Sequence, residues 1–99
     1  MTFTKKQNGA ALEICLEGRL DTMTSPELEN ELKNCLNSAD SLIMNCEKLD
    51  YISSAGLRVL LTAHKAMMGK GGMRVTHINE IVREVFEVTG FADILTIES

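Results

Sequence analysis

The chain is expected to fold as a single α/β domain. A mixed, mostly parallel sheet flanked by helices should form in the order β-β-α-β-α-β-α-β. Three observations predict this. One segment alternates apolar and polar residues with the period of two that marks a half-buried strand. Short apolar runs then alternate with amphipathic helical stretches, the pattern of crossover units in a parallel sheet. Finally, 99 residues, 44% hydrophobic and 24% charged, match one ordinary globular core with no room for a second.

The alternating segment is Ala11 to Glu17, where Leu12, Ile14 and Leu16 share one face and Glu13, Cys15 and Glu17 the other. Asn8-Gly9, a favoured hairpin dipeptide, precedes it, so a strand over Thr2 to Gln7 should pair with it antiparallel. Gly18-Arg19-Leu20-Asp21 leads out into a loop. Ser25-Pro26-Glu27 then starts a helix, with Ser25 as N-cap, proline at the first turn and an acid at the positive dipole end. Leu28, Leu32, Cys35 and Leu36 give that helix its apolar face, and Asn37-Ser38 closes it.

Ser41 to Cys46 has the length and composition of a buried strand, and Glu47 to Tyr51 is expected as a polar connection. A second helix follows from Ser54 to Met68, with Gly69, Gly71 and Gly72 ending it. Met73 to Ile78 is the next strand candidate. Asn79 or a neighbour caps a third helix bearing Ile81, Val82, Val85 and Phe86, Gly90 ends it, and Ile94 to Ile97 suggests a last short strand. Met67 and Met68 are expected to fill the core.

Charge and composition exclude several functions. A net charge of −4 disfavours nucleic acid and anionic membrane surfaces, both of which select for Lys and Arg. No apolar run approaches the ~18 residues that span a bilayer, and Met1 to Gly9 lacks the apolar stretch of a signal peptide, so a cytoplasmic location is expected. Cys15, Cys35 and Cys46 form no CxxC pair and are expected as small buried hydrophobes; no metal or cofactor is called for. No GxGxxG, Walker, HExxH or GxSxG motif is present. Ser54 and His64 are ten positions apart on one helix, roughly 15 Å, too far for a nucleophile and its base. His64 shares a face with Leu57, Leu60, Leu61 and Met68, a packing position at the edge of the buried stripe. An enzyme is not expected.

One segment stands above this background: Asp50 to Leu61, where Ser53 and Ser54 occupy the turn from loop into helix. Serine there serves as an N-cap, and small residues allow close packing. The same position suits a switch. The first backbone N–H groups of a helix are unpaired and partially positive, so a phosphate of about −1.5 to −2 charges is tolerated there.

Tyr51-Ile52-Ser53-Ser54-Ala55-Gly56-Leu57-Arg58-Val59-Leu60-Leu61 resembles the phosphorylation-site signature of the STAS domain family, and of its free-standing anti-sigma factor antagonists (anti-anti-sigma factors) in particular. Gly18-Arg19-Leu20-Asp21 is similar to the family's Gly-x-Leu-Asp motif, and Gly71 to Val75 and Val85 to Phe91 match in character and spacing. The resemblance spans residues 1–99 and implies a STAS-type fold. It further implies that the unphosphorylated chain binds an anti-sigma factor serine kinase and so releases a sigma factor. Phosphorylation by that kinase would block binding, and a serine phosphatase would reverse it. By position Ser54 is the implied phosphoacceptor. Many members carry Asp just before it where this chain has Ser53, which makes Ser53 the second candidate. Asp21, Thr22, Ser53, Ala55, Gly56 and Arg58 are the implied docking residues. The alternative is an accessory STAS subunit of a transporter or lipid-trafficking complex, which would bind an ATPase without a phosphorylation cycle.

Overall fold

A computed structural model describes residues 2–98. The strands are β1 (Thr2–Asn8), β2 (Ala11–Leu20), β3 (Ser41–Ile52), β4 (Met73–Thr76) and β5 (Thr96–Glu98). The helices are α1 (Ser25–Cys35), α2 (Ser54–Met67) and α3 (Glu80–Thr89), with short 3-10 turns at Leu36–Ser38 and Phe91–Asp93. The sheet order is β1-β2-β3-β4-β5; β1 runs antiparallel to β2 and every other pair is parallel. The expected class and element order therefore hold.

Because β2, β3, β4 and β5 lie side by side in chain order, right-handed crossovers place α1, α2 and α3 on the same face of the sheet. That face is one continuous core. Leu12, Ile14, Leu16, Leu42, Met44, Leu49, Ile52 and Val75 from the strands meet Leu28, Leu57, Leu60, Ala63, Met67, Val82 and Phe86 from the helices. The other face carries Glu13, Cys15, Ile43 and Asn45, all partly accessible, with Asn45 Nδ2 donating to Glu13 Oε2 at 3.0 Å.

Several local expectations change. Glu47 to Tyr51 is strand, not a polar connection, and Gly18 to Leu20 continues β2 instead of leaving it. The cause lies in the pairing. Between Cys15/Asn45 and Glu17/Lys48, and again between Gly18/Leu49 and Arg19/Tyr51, β3 advances one residue more than β2. Such bulges break the period of two, so the buried positions of β3 become Cys46, Leu49 and Ile52, spaced by three. Gly18 sits at the second irregularity with φ +103°, a conformation that glycine adopts without strain.

The first helix is capped by Thr24, not Ser25: Ser25 is already helical and buried, and its hydroxyl donates to Asp21 O at 2.5 Å. The fourth strand stops at Thr76 because His77 turns to φ +60°, and the fifth covers Thr96–Glu98 rather than 94–97. Met67 is buried as expected, but Met68 is 68% exposed, since α2 ends between them. Cys35 and Cys46 are buried, Cys15 is half-buried, and all three thiols are free. Burial pushes the Cys46 thiol up to about 12, which leaves it unreactive. Among the described residues no helix is long and apolar enough to cross a membrane.

Candidate functional site

The serine segment is placed by the sheet. Leu20 and Ile52 are paired at the ends of β2 and β3, and the Ser53 N–H donates to Leu20 O at 2.9 Å. This one bond brings the β2–α1 loop and the start of α2 side by side. It also holds Ser53 extended, at φ −99° and ψ 175°, so that helical geometry begins one residue later.

The two serines consequently differ. Ser53 is the N-cap: its Oγ accepts from the Gly56 N–H at 3.4 Å and its carbonyl from the Leu57 N–H at 2.9 Å. Ser54 is not the cap but the first residue of α2, and it is exposed. Its hydroxyl makes no hydrogen bond among the described residues, while the neighbouring cap hydroxyl is half-buried and engaged.

Gly56 explains how α2 comes so close. It is buried, and a Cβ there would lie 2.8 Å from Leu20 Cγ, 2.9 Å from Ile52 Cγ1 and 2.9 Å from Leu20 O. The carbonyl is fixed by the sheet and cannot give way, so only glycine lets the helix start sit on the strand ends. Its part in the site is to set that approach, not to offer surface.

Asp21 organises the adjoining loop. Its Oδ1 accepts from the backbone N–H of Met23 at 3.0 Å, from the N–H of Thr24 at 3.1 Å and from Thr24 Oγ1 at 3.2 Å. The Thr24 hydroxyl has one hydrogen to share between Asp21 Oδ1 and Arg19 O, which is nearer at 2.7 Å, and its oxygen accepts from the Asp21 N–H at 2.9 Å. The hydrogen bond from the Thr24 backbone, helped by that from Met23 and by the nearby Arg19, holds the Asp21 carboxyl below its ordinary range against a smaller opposing effect of burial. Arg19 Nε lies 3.8 Å from Asp21 Oδ2, and its guanidinium stacks 4.5 Å above the Tyr51 ring, which the β2–β3 register sets beside it.

Thr22, Ala55 and Arg58 line one shallow groove between α1 and α2, together with Ser25, Pro26, Glu29, Val59 and Thr62. Thr22 of the β2–α1 loop and residues of α1 and α2 thus share one groove, next to which Ser54 is exposed at the start of α2. Arg58 stands one turn beyond Ser54 on the same helix and is exposed; among the described residues its guanidinium makes no ion pair. Sequence inspection missed Arg19, Met23, Thr24 and Tyr51. The bulges hid the Arg19–Tyr51 pairing, but Met23, a large apolar residue in a polar loop, was a visible signal.

Known proteins share this fold. The STAS domain model matches residues 2–99. The BtrV protein of Bordetella bronchiseptica, whose name proposes it as an anti-sigma factor antagonist, is 34% identical over 98% of this chain and 85% of its own length. The anti-sigma-B factor antagonist of Bacillus subtilis is 25% identical over 95% of this chain and 87% of its own. The solved structure of the anti-sigma factor antagonist SpoIIAA in its unphosphorylated form superimposes with a TM-score of 0.83 at 19% identity, covering 99% of this chain and 89% of that one. The Bacillus SpoIIAA has also been solved in its phosphorylated form, with a TM-score of 0.75 at 18% identity over 99% and 92%. Fold and whole-chain match agree, and the chain belongs to the STAS domain family.

Proposed function

We propose that this chain is an anti-sigma factor antagonist switched by phosphorylation of Ser54. In the unphosphorylated form the surface made by the β2–α1 loop and the start of α2 docks on an anti-sigma factor serine kinase, which then releases its sigma factor. The kinase transfers the γ-phosphoryl group of ATP to Ser54 Oγ, with loss of the hydroxyl proton and release of ADP. A serine phosphatase hydrolyses the phosphoester and restores the binding form. The names of the similar proteins support an anti-sigma factor as the partner.

The observation that carries the reading is the division of labour between the two serines. Ser53 Oγ is engaged as a cap, whereas Ser54 Oγ points its chemistry outward from the first turn of α2. A phosphate on Ser54 would sit where the backbone N–H groups of a helix start favour an anion, so the fold tolerates it. It would also put about −1.5 to −2 charges in the middle of the docking surface. A partner would then have to desolvate that charge or leave.

Incubation with an anti-sigma serine kinase and ATP, followed by phosphopeptide mapping, tests the assignment. Phosphate is expected on Ser54 alone, and S54A should take up none while S53A remains a substrate. Phosphate on Ser53 would contradict it. Failure of any such kinase to bind, with capture of a transporter ATPase instead, would favour the accessory-subunit alternative.

A further inference from the structure

The charged residue of the β2–α1 loop turns one carboxylate oxygen into the loop. Two backbone donors, the N–H groups of Met23 and Thr24, converge on Asp21 Oδ1, and the Thr24 hydroxyl oxygen lies 3.2 Å from it. The remaining oxygen, Oδ2, faces Arg19. The Asp21 carbonyl accepts from the Ser25 N–H at 2.8 Å and from the Ser25 hydroxyl at 2.5 Å, which joins the turn to the first turn of α1. Oδ1 is thereby committed to the shape of the turn.

What the turn displays is apolar. Met23 is 83% exposed, the most exposed of the large hydrophobic residues among those described. It is flanked by Thr22, which lines the groove next to Ala55 and Arg58. A flexible thioether standing out of a fixed backbone suits insertion into an apolar pocket, and such anchors carry most of the energy of an interface.

We infer that Asp21 is a positioning residue that fixes the Thr22–Met23 turn, and that Met23 is the side chain that anchors the partner kinase. The inference rests on the docking surface proposed above and gives it a specificity determinant. Asp21 acts through hydrogen-bond acceptance, not charge, so the isosteric amide replaces it. Met23 acts by apolar contact, so a charge there is not tolerated.

Two measurements decide it. On the free chain, amide exchange followed by NMR should show the Met23 and Thr24 amides protected in wild type and D21N, and fast in D21A. Fast exchange in wild type would overturn the lock, whether or not the anti-sigma reading holds. With the kinase identified in the phosphorylation assay, D21N should bind within about threefold of wild type and D21A about tenfold more weakly, while M23E should lose on the order of 100-fold. Equal losses in D21N and D21A would make the charge itself the contact, and wild-type affinity in M23E would remove the anchor; either result overturns the inference. If M23E binds as wild type does while the Ser54-phosphorylated chain does not, only the anchor fails; if neither loses affinity, the docking surface itself fails.

Discussion

The starts of α2 and α3 are built alike and finished differently. Both follow a strand, both have an extended N-cap residue whose side chain accepts from the N–H three positions on, and both pack on the same sheet face. At α3 the cap is firm: Asn79 Oδ1 accepts from Val82 at 2.8 Å, and its Nδ2 donates to Leu49 O at 2.9 Å, tying the helix to β3. Glu80 supplies an acid in the first turn, as Glu27 does in α1. At α2 the cap bond is 3.4 Å, the first turn has no acid, and an exposed serine stands first. The α3 start has its positive end compensated, whereas the α2 start leaves it open. An open start, next to a second ordered loop, is where a removable negative charge has the most effect.

The largest structural effect should come from the third helical position. At α3 that residue is Val82, fully buried; at α2 it is Gly56, against which any side chain collides with Leu20 and Ile52. G56V is therefore expected to lose about 3 kcal/mol, from overpacking against a backbone carbonyl, by chemical denaturation. V82A should cost a similar amount for the opposite reason, a cavity. A stable G56V would mean that α2 has room to retreat and that the close approach is not required.

The caps should rank next. N79A removes a short cap bond and a tie to β3, and an expected loss of about 1–2 kcal/mol follows. S53A removes a longer and more accessible bond and should cost about 0.5–1 kcal/mol. Reversal of that order would contradict the difference drawn between the two helix starts. Smaller again is the dipole: A55E should stabilise by about 0.3–1 kcal/mol at low salt, and E80Q should destabilise by a similar amount. Thermal melts at two salt concentrations check both, since screening should shrink each shift.

Asp21 gives a pH dependence with a definite sign. Its folded pKa lies below the ordinary value of 3.8, so its stabilising contribution is present above that value and is lost as pH falls through the folded one. In D21N the acid limb of the stability profile should lose this component. An unchanged limb would show that Asp21 is not held by its loop.

Much of this was legible in the sequence, for identifiable reasons. The alternation of Leu12, Ile14 and Leu16 exposes the period of β2 because no bulge interrupts it there. The Asn79 cap and the Gly90 stop bracket α3 because each residue type has a local preference that the sheet does not override. The second half of β3 was hidden, since two extra residues change the spacing of its buried positions from two to three. Serine identity could not say which of Ser53 and Ser54 would be the cap. That depends on where β3 ends, and the end is set by the Ser53 N–H to Leu20 O bond, between residues 33 positions apart in sequence. Asp21 was visible as a candidate, but its use as an internal acceptor needed the positions of Met23 and Thr24.

The central claim is that a charge on Ser54 controls docking without altering the fold. The most direct measurement compares the chain carrying serine with the chain carrying phosphoserine at position 54, each titrated calorimetrically with the anti-sigma serine kinase and each melted in parallel. The unmodified chain should bind, phosphorylation should weaken binding at least about 100-fold, equivalent to ~2.7 kcal/mol, and the melting curves should nearly coincide. Equal affinity of the two forms, or loss of binding accompanied by unfolding of the phosphorylated chain, would contradict it.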